Sequence, residues 1–146
     1  MSIRARAVRF KGGGNELMKY MLLTYLDEKV WLAMSPAEQE REMNKCQPHI
    51  EKLLGTKKLI AGAPLHPTST ATTIRFREGK RLLTDGPFAE TREQLGGYTI
   101  IEADDLDDAL AIASGFLADS ELASIEVRPI VDFEGPVPAT PADRKE

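Results

Sequence analysis

The side chains of this sequence that could move a proton near neutral pH are two histidines, His49 and His66. His66 lies in a turn-rich segment, residues 63–67, where a histidine is ordinarily solvated. His49 directly follows Pro48 in a helical pattern, and we predict a kink or break there because proline removes a backbone donor. The histidines are too far apart to share a helix face and Cys46 is the single cysteine, so neither a metal site nor a disulfide is predicted.

The polar stretch from Asp85 to Tyr98 lies between two predicted strands and is longer than a tight hairpin needs. Connections of this kind often carry binding or catalytic groups. Turn signals stand near its two ends, at Asp85-Gly86-Pro87 and at Gly96-Gly97. Asp85 fits an Asx-type turn, in which the carboxylate bonds nearby backbone. Phe88 is expected to be buried, which would give the loop a fixed path.

The side chains predicted to bind a ligand combine acceptors, hydroxyl groups and positive charge. Those on strands could complete an anion pocket beside the loop. Two ordinary interpretations stay open: an ion pair within the loop that makes it rigid, and a solvated strand face for the strand arginines. The predicted ligand-binding residues are Glu90, Thr91, Arg92, Tyr98, Arg75 and Arg128.

Hydrophobic periodicity and turn signals predict six strands and two helices that position these groups. The first helix begins at a Ser35 capping box and stops at Gly55, and residues 30–34 before it form a short apolar bridge. Pro129 indicates that the last strand lies at an edge of its sheet, or at least that its pairing ends there. The second helix begins at Asp104 or Asp105, and its apolar face is Leu106, Ala109, Leu110, Ala113, Phe116 and Leu117. The predicted strands are residues 19–26, 57–62, 70–77, 80–84, 98–102 and 124–131.

The order of these elements predicts an α+β fold. The predicted order is strand, helix, strand, hairpin, loop, strand, helix and strand. This order is typical of a ferredoxin-like antiparallel sheet with two helices on one face, here with an inserted β-hairpin. The first strand is apolar at nearly every position, so the second face of the sheet must also be covered. A second copy of the chain is the simplest cover, and we predict a homodimer packed sheet to sheet.

Composition predicts one domain, residues 18–132, between a basic N-terminal extension of residues 1–17 and a flexible proline-rich tail of residues 133–146. The extension holds Gly12-Gly13-Gly14 and is expected to be poorly ordered; it is either a basic arm or upstream sequence, with Met18 as the biological start. A net charge of −4 gives no pull towards nucleic acid. The sequence has no apolar run long enough to cross a bilayer, and its low cysteine use is compatible with the cytoplasm.

A family resemblance is carried by residues 85–91 and 93–98, which resemble the signature of the DGPF branch of the YCII-related proteins. Shorter matches extend it over residues 18–131. The resemblance implies a small bacterial protein of the dimeric α/β-barrel type. Separately, we predict that the protein has no cofactor. The shorter matches are Met18-Lys19-Tyr20-Met21-Leu22-Leu23, Thr70-Ala71-Thr72-Thr73, Asp105-Leu106-Asp107-Asp108-Ala109 and Glu126-Val127-Arg128-Pro129-Ile130.

The same resemblance implies a His–Asp pair in a cleft, and one relative is a dehydrochlorinase acting on a hydroxylated aromatic. His49 lies in the helix that bears the family histidine, but no aspartate follows where the pair requires one. Asp85 is the candidate replacement, because a carboxylate would fix the imidazole tautomer and stabilise the imidazolium.

Three functions follow as hypotheses. The first is a cofactorless acid–base enzyme using His49 and Asp85 on a small polar or aromatic substrate. The second is a non-catalytic ligand-binding or regulatory module; DGPF-branch proteins are often encoded beside extracytoplasmic-function sigma factors. The third is a purely structural loop that clamps the dimer.

Overall fold

The computed structural model describes residues 17–131. The predicted tail and all of the predicted extension except Leu17 lie outside the described residues. Leu17 is exposed and directly precedes the first strand.

Six strands form a four-stranded sheet and a separate hairpin. In chain order they are β1 (Met18–Leu26), β2 (Leu59–Pro64), β3 (Thr72–Arg77), β4 (Lys80–Asp85), β5 (Gln94–Ala103) and β6 (Ala123–Pro129). The main sheet has the order β2-β5-β1-β6, with every neighbouring pair antiparallel. This order confirms the predicted ferredoxin-like α+β fold, and it confirms that the strand ending at Pro129 lies at an edge.

The inserted hairpin pairs β3 with β4 in a two-stranded sheet of its own. Glu78 and Gly79 connect the strands with φ angles of 51° and 73°, the left-handed values that a two-residue hairpin turn requires. At its base the backbone N–H of Gly86 donates to Ala71, at 2.7 Å. Its larger apolar side chains are exposed in the single chain, namely Ile74, Phe76, Leu82 and Leu83.

Four helices are described: α1 (Glu28–Ala33), α2 (Pro36–Asn44), α3 (Gln47–Thr56) and α4 (Leu106–Leu117). The predicted first helix is therefore two helices, and the break at Lys45 and Cys46 confirms the effect expected from Pro48. The Ser35 capping box with Glu38 is present. The apolar bridge predicted for residues 30–34 is wrong, since α1 forms there with the Asp27 carboxylate capping its first turn.

The end of α3 also differs from the prediction. The helix passes Gly55 and stops at Thr56, with Lys57 in the left-handed region at φ 59°. The N–H groups of Lys57 and Lys58 donate to the carbonyls of Leu54 and Leu53, both at 3.3 Å, which closes the helix in a Schellman arrangement.

The core lies between one face of the sheet and the helices. Tyr20, Leu22 and Ile101 project from β1 and β5 and pack with buried residues of α3 and α4. The predicted apolar face of α4 is wrong at two positions, because Leu106 and Leu110 are 51% and 44% exposed. Ile112 is buried in their place. The remaining members of the core are Leu53, Ala103, Ala109 and Ala113.

Gly96 and Gly97 lie inside β5 and make no turn, which corrects the second turn signal of the sequence. A Cβ atom at Gly96 would lie 2.9 Å from Leu26 Cδ2, and one at Gly97 would lie 3.0 Å from the carbonyl oxygen of Ala63. The glycines are required for close packing of a strand. The polar connection between β4 and β5 is therefore residues 86–93.

Candidate functional site

A cavity of about 660 Å³ lies between the helices and one half of the sheet. We call it the sheet–helix cavity. Thr24, Gly62, Gly97 and Thr99 border it on the sheet side. The helices contribute a mainly apolar wall that includes Trp31, Met43, Ile50 and Phe116. This volume falls in the range of small-molecule sites, about 300–1,000 Å³.

The cavity exists because the helix-facing surface of the sheet changes character along its strands. Near one end, Tyr20, Leu22 and Ile101 fill the space beneath the helices. Near the other, the pairing of Thr24 with Gly97 places a short side chain beside a residue that has none. The volume that a Leu or Ile would occupy there remains open.

Two hydroxyl groups belong to the sheet side of the cavity. Thr24 and Thr99 lie on the two central strands and on the same face, since Thr24 pairs with Gly97 two residues from Thr99. Neither hydroxyl makes a hydrogen bond with any group in residues 17–131 (contrast Thr68, which bonds Glu28). A hydroxyl group can donate and accept, so the pair offers a polar anchor on the sheet side of the cavity.

The charged residues that border the cavity are all acidic: Asp27, Glu28 and Glu42. The described residues that line it include no lysine, arginine or histidine. Glu42 Oε1 lies 2.6 Å from the Nζ of Lys45, a more exposed side chain of the same helix turn. Glu42 Oε2 also lies 3.5 Å from Ser120 Oγ, which borders the cavity as well.

Glu28 fastens the rim of the cavity. Its carboxylate accepts from the backbone N–H of Thr68 at 2.8 Å and from the Thr68 hydroxyl at 2.6 Å. Its own N–H donates to Gln94 Oε1 at 2.9 Å. Helix α1 is thereby tied to the 3₁₀ turn of Thr68–Thr70 and to the first residue of β5, so the polar loop ends at the cavity rim.

His49 lies beside the cavity but does not border it, although its neighbours Cys46, Gln47 and Ile50 do. His49 Nε2 donates to the carbonyl oxygen of Ile112 at 2.8 Å. The imidazole stands edge-on to Phe116, with ring centroids 4.9 Å apart. These contacts join α3 to α4, and they assign the Nε2–H tautomer to the neutral ring, with Nδ1 as the acceptor.

Asp85 is the last residue of β4, opposite Thr72 and exposed. Its carboxylate bonds no group in the described residues; in the turn, the Thr73 hydroxyl donates to the carbonyl of Gly86. The Asx bond expected of Asp85 is thus absent from residues 17–131. Within the same residues no hydrogen bond or ion pair joins Asp85 to His49, and a catalytic pairing of the two stays a prediction.

The six predicted ligand-binding residues fall in several places. Arg75 is brought to the loop, where its Nη2 donates to the carbonyl of Phe88 at 2.7 Å. Arg128 lies 3.5 Å from Glu126 on the edge strand. Tyr98 borders the sheet–helix cavity, but alternation along β5 directs its phenol to the opposite face.

The remaining three lie in the polar loop. The hydroxyl of Thr91 donates to the carbonyl of Glu93, and Arg92 borders a smaller hollow with Asp27 and Glu121. Glu90 forms no ion pair with Arg92 in the part of the chain that the structure describes. The expectation that Phe88 is buried is wrong for the single chain, where it is 76% exposed because no described segment packs over its ring.

Sequence reasoning missed the residues on the sheet side of the cavity. The available signal is a pair of small residues at alternating positions of a buried strand, Gly97 and Thr99. The sequence pattern instead predicts a turn at Gly96-Gly97 and a strand that begins only at Tyr98. Within residues 17–131, no three His, Cys, Asp or Glu side chains are placed to hold a metal ion. No helix of this region has the length and apolar character needed to span a membrane.

Two comparisons with known proteins find similarity. A family model described as the YCII-related domain matches residues 18–134. An uncharacterized protein of Rhizobium meliloti (strain 1021) is 40% identical over 118 residues, which span 80% of this chain and 95% of the relative. Since the relative is itself uncharacterized, the comparison brings no activity with it.

Proposed function

The chain belongs to the YCII-related domain family, and from this premise we propose that it is a small-molecule-binding protein whose ligand occupies the sheet–helix cavity. The observation that carries the proposal is a space of about 660 Å³ with a mainly apolar wall and two hydroxyl groups free to bond a ligand. Natural ligand sites combine these features: apolar lining for affinity and a few polar groups for orientation. The sequence of residues 85–98 supports placement in the DGPF branch.

Trp31 is the single tryptophan of the chain and borders the cavity, so its emission reports binding directly. We expect a neutral apolar dye, N-phenyl-1-naphthylamine, to quench Trp31 as its own fluorescence rises. Ala123 also borders the cavity, and Ala123→Phe should fill it and abolish both signals.

Ala111→Phe is the matched control, since Ala111 is exposed on α4 and does not border the cavity. It should leave dye binding unchanged. Equal binding by the two variants, with both folded by circular dichroism, would overturn the cavity as the ligand site.

A second candidate function is proton-transfer catalysis by His49 with Asp85. The observation that favours it is the bond from His49 Nε2 to Ile112, which leaves Nδ1 as a proton acceptor. Asp85→Asn tests it cleanly, because the carboxylate bonds no described group. If the pair catalyses, this variant should lose chloride release from a chlorinated hydroquinone while Trp31 still reports binding. If the wild type and the Asp85→Asn variant both bind the chlorinated hydroquinone and neither releases chloride, the result would favour the regulatory module.

We further propose that a second copy of the chain covers the open face of the sheet. Met21, Leu23 and Ile100 project from that face by strand alternation and are only half-buried. The exposed apolar side chains of the hairpin and Phe88 add to the surface that a partner would bury. Large exposed apolar patches are typical of interfaces.

A further inference from the structure

The charged side chains that border the sheet–helix cavity are all acidic, with Lys45 paired to Glu42 just outside the border, and this bears on what can enter the cavity. Asp27, Glu28 and Glu42 border the space, and the described lining residues include no basic side chain. An anion in the cavity would lose its water without gaining a positive partner. It would also be repelled by the neighbouring carboxylates.

The free hydroxyl groups supply the complementary requirement. Thr24 and Thr99 have no partners in residues 17–131, and a ligand buried against them without a polar atom would leave both unsatisfied. The Thr99 hydroxyl extends towards Gly62, where a Cβ atom would lie 3.4 Å from Oγ1. The absence of a side chain at Gly62 therefore keeps this hydroxyl accessible.

We infer that the cavity takes an uncharged or cationic apolar molecule with one hydrogen-bonding group directed at Thr24 and Thr99, and that it rejects anions. This inference rests on the proposed function and names the chemical class of its ligand. A protonated amine is acceptable because the hydroxyl oxygens accept hydrogen bonds. The carboxylate of Glu28 accepts from Thr68 through both of its oxygens and keeps its negative charge at the border.

The test compares three probes with one carbon skeleton: 4-phenylbutanol, 4-phenylbutylamine and 4-phenylbutyrate. At pH 7 they are neutral, cationic and anionic, and Trp31 emission reports their binding to the full chain. We expect the alcohol and the amine to bind at least about tenfold more tightly than the carboxylate, because the desolvated anion finds no positively charged partner among the described lining residues. Higher salt should narrow the difference as the acidic groups are screened.

Variants then separate charge from hydrogen bonding. Thr99→Val keeps the shape of the side chain but removes its hydroxyl group. It should weaken the binding of 4-phenylbutanol about fivefold or more, the effect of one lost hydrogen bond. Thr99→Ser should restore it, and Thr72→Val on the hairpin should have no effect. Glu42→Gln should reduce the preference for the amine over the carboxylate about threefold or more.

The outcomes separate this inference from the proposal beneath it. If the neutral dye does not bind, the proposed function fails. If the dye binds but the carboxylate matches the alcohol within threefold, the charge selection is wrong. If Thr99→Val binds the alcohol as tightly as the wild type, the hydroxyl anchor is wrong.

Discussion

His49 and Gly115 are coupled across the contact between α3 and α4. A Cβ atom at Gly115 would lie 2.3 Å from His49 Cε1 and 2.5 Å from both ring nitrogens. The glycine thus admits an imidazole whose Nε2 bonds the same helix at Ile112. The side chain that family resemblance suggests for catalysis has a packing role whether or not it also transfers protons.

Gly115→Ala should lower the free energy of unfolding by about 1–3 kcal/mol, the usual cost of overpacking. Either the imidazole rotates away and loses its hydrogen bond, or the two helices separate. Urea denaturation measures the change. Gly55→Ala is the matched control: Gly55 is also helical, its Cβ would meet nothing within 4 Å, and the variant should gain about 0.5–1 kcal/mol.

The coupling itself is measured by a double-mutant cycle. In a His49→Ala background, Gly115→Ala should no longer destabilise, because the atoms that it would meet are gone. An equal loss of stability in both backgrounds would show that the imidazole does not occupy the place where the structure has it.

At the residue scale the sequence reveals types but not partners. His49 is notable on sequence alone because it follows Pro48. Its hydrogen-bond partner, Ile112, is 63 residues away along the chain, and the bond depends on how two helices cross. Asp85 shows the converse: its turn chemistry is a strong local signal, yet the expected backbone bond of its carboxylate is not made.

Lys57 adopts a backbone conformation that costs about 1 kcal/mol for a side chain with a Cβ atom. Lys57→Gly should therefore raise the free energy of unfolding by up to about 1 kcal/mol, since glycine is the usual residue at this position after a helix. Lys52→Gly on the exposed surface of α3 is the control and should cost about 1 kcal/mol. Thermal and urea unfolding should show that the free energy of unfolding rises in Lys57→Gly and falls in Lys52→Gly. A fall in both variants would contradict the strain at Lys57.

Lys58, the residue directly before β2, is joined to Asp108 in the first turn of α4, with Lys58 Nζ 2.8 Å from Asp108 Oδ2. The hydrogen bond from Lys58, followed by that from the Asp104 N–H, lowers the pKa of Asp108. The same hydrogen bond raises the pKa of Lys58 above its ordinary value. The lowered pKa of Asp108 stabilises the folded protein at pH values above the pKa of this carboxyl group in the unfolded chain. This stability is lost as pH falls through the pKa of the folded protein. The raised pKa of Lys58 stabilises the folded protein at pH values below the pKa of this amine in the unfolded chain. This stability is lost as pH rises through the pKa of the folded protein.

Lys58→Gln should therefore lower the free energy of unfolding by up to about 1 kcal/mol, the scale of a partly exposed pair, between about pH 5 and pH 9. The difference from wild type should shrink towards both extremes of pH and in high salt. Lys52→Gln should show no such pH dependence. A Lys58→Gln deficit that stayed constant from pH 2 to pH 11 would mean that packing, and not the ion pair, is responsible.

At the element scale, strong local signals were the reliable ones. Pro48 and the Ser35 box placed the helix break and the helix start, because each acts on its immediate neighbours. Helix α1 was missed because six residues are too few to show helical periodicity. The pair Gly96-Gly97 predicts a turn on sequence alone, although close contacts with Leu26 and Ala63 are what require glycine there.

For the whole molecule, the proposed dimer makes the most direct prediction. The wild-type protein should have twice the 16.1 kDa mass of one chain by light scattering. Leu23→Glu places a charge on the open face of the sheet and should yield single chains that remain folded. Leu110→Glu is the control, because Leu110 is an exposed leucine of the helix layer, and this variant should stay dimeric. A dimeric Leu23→Glu protein would move the interface elsewhere.

The sheet order could be predicted from the chain because the ferredoxin-like pattern of strands and helices admits few topologies. The cavity could not. It depends on Thr24 and Gly97 lying opposite each other in a particular register while α1 and α2 pass above them. Register and layer spacing are collective properties, and no single segment specifies them.

The division of one sheet face into a filled half and an open half has a consequence for evolution. Tyr20, Leu22 and Ile101 belong to the buried core, whereas Thr99 and Ala123 border the cavity and lie outside that core. A mutation in the second group can change which molecules fit without weakening the first. Descendants of this chain could therefore exchange one ligand for another through single substitutions, each inherited on an intact scaffold.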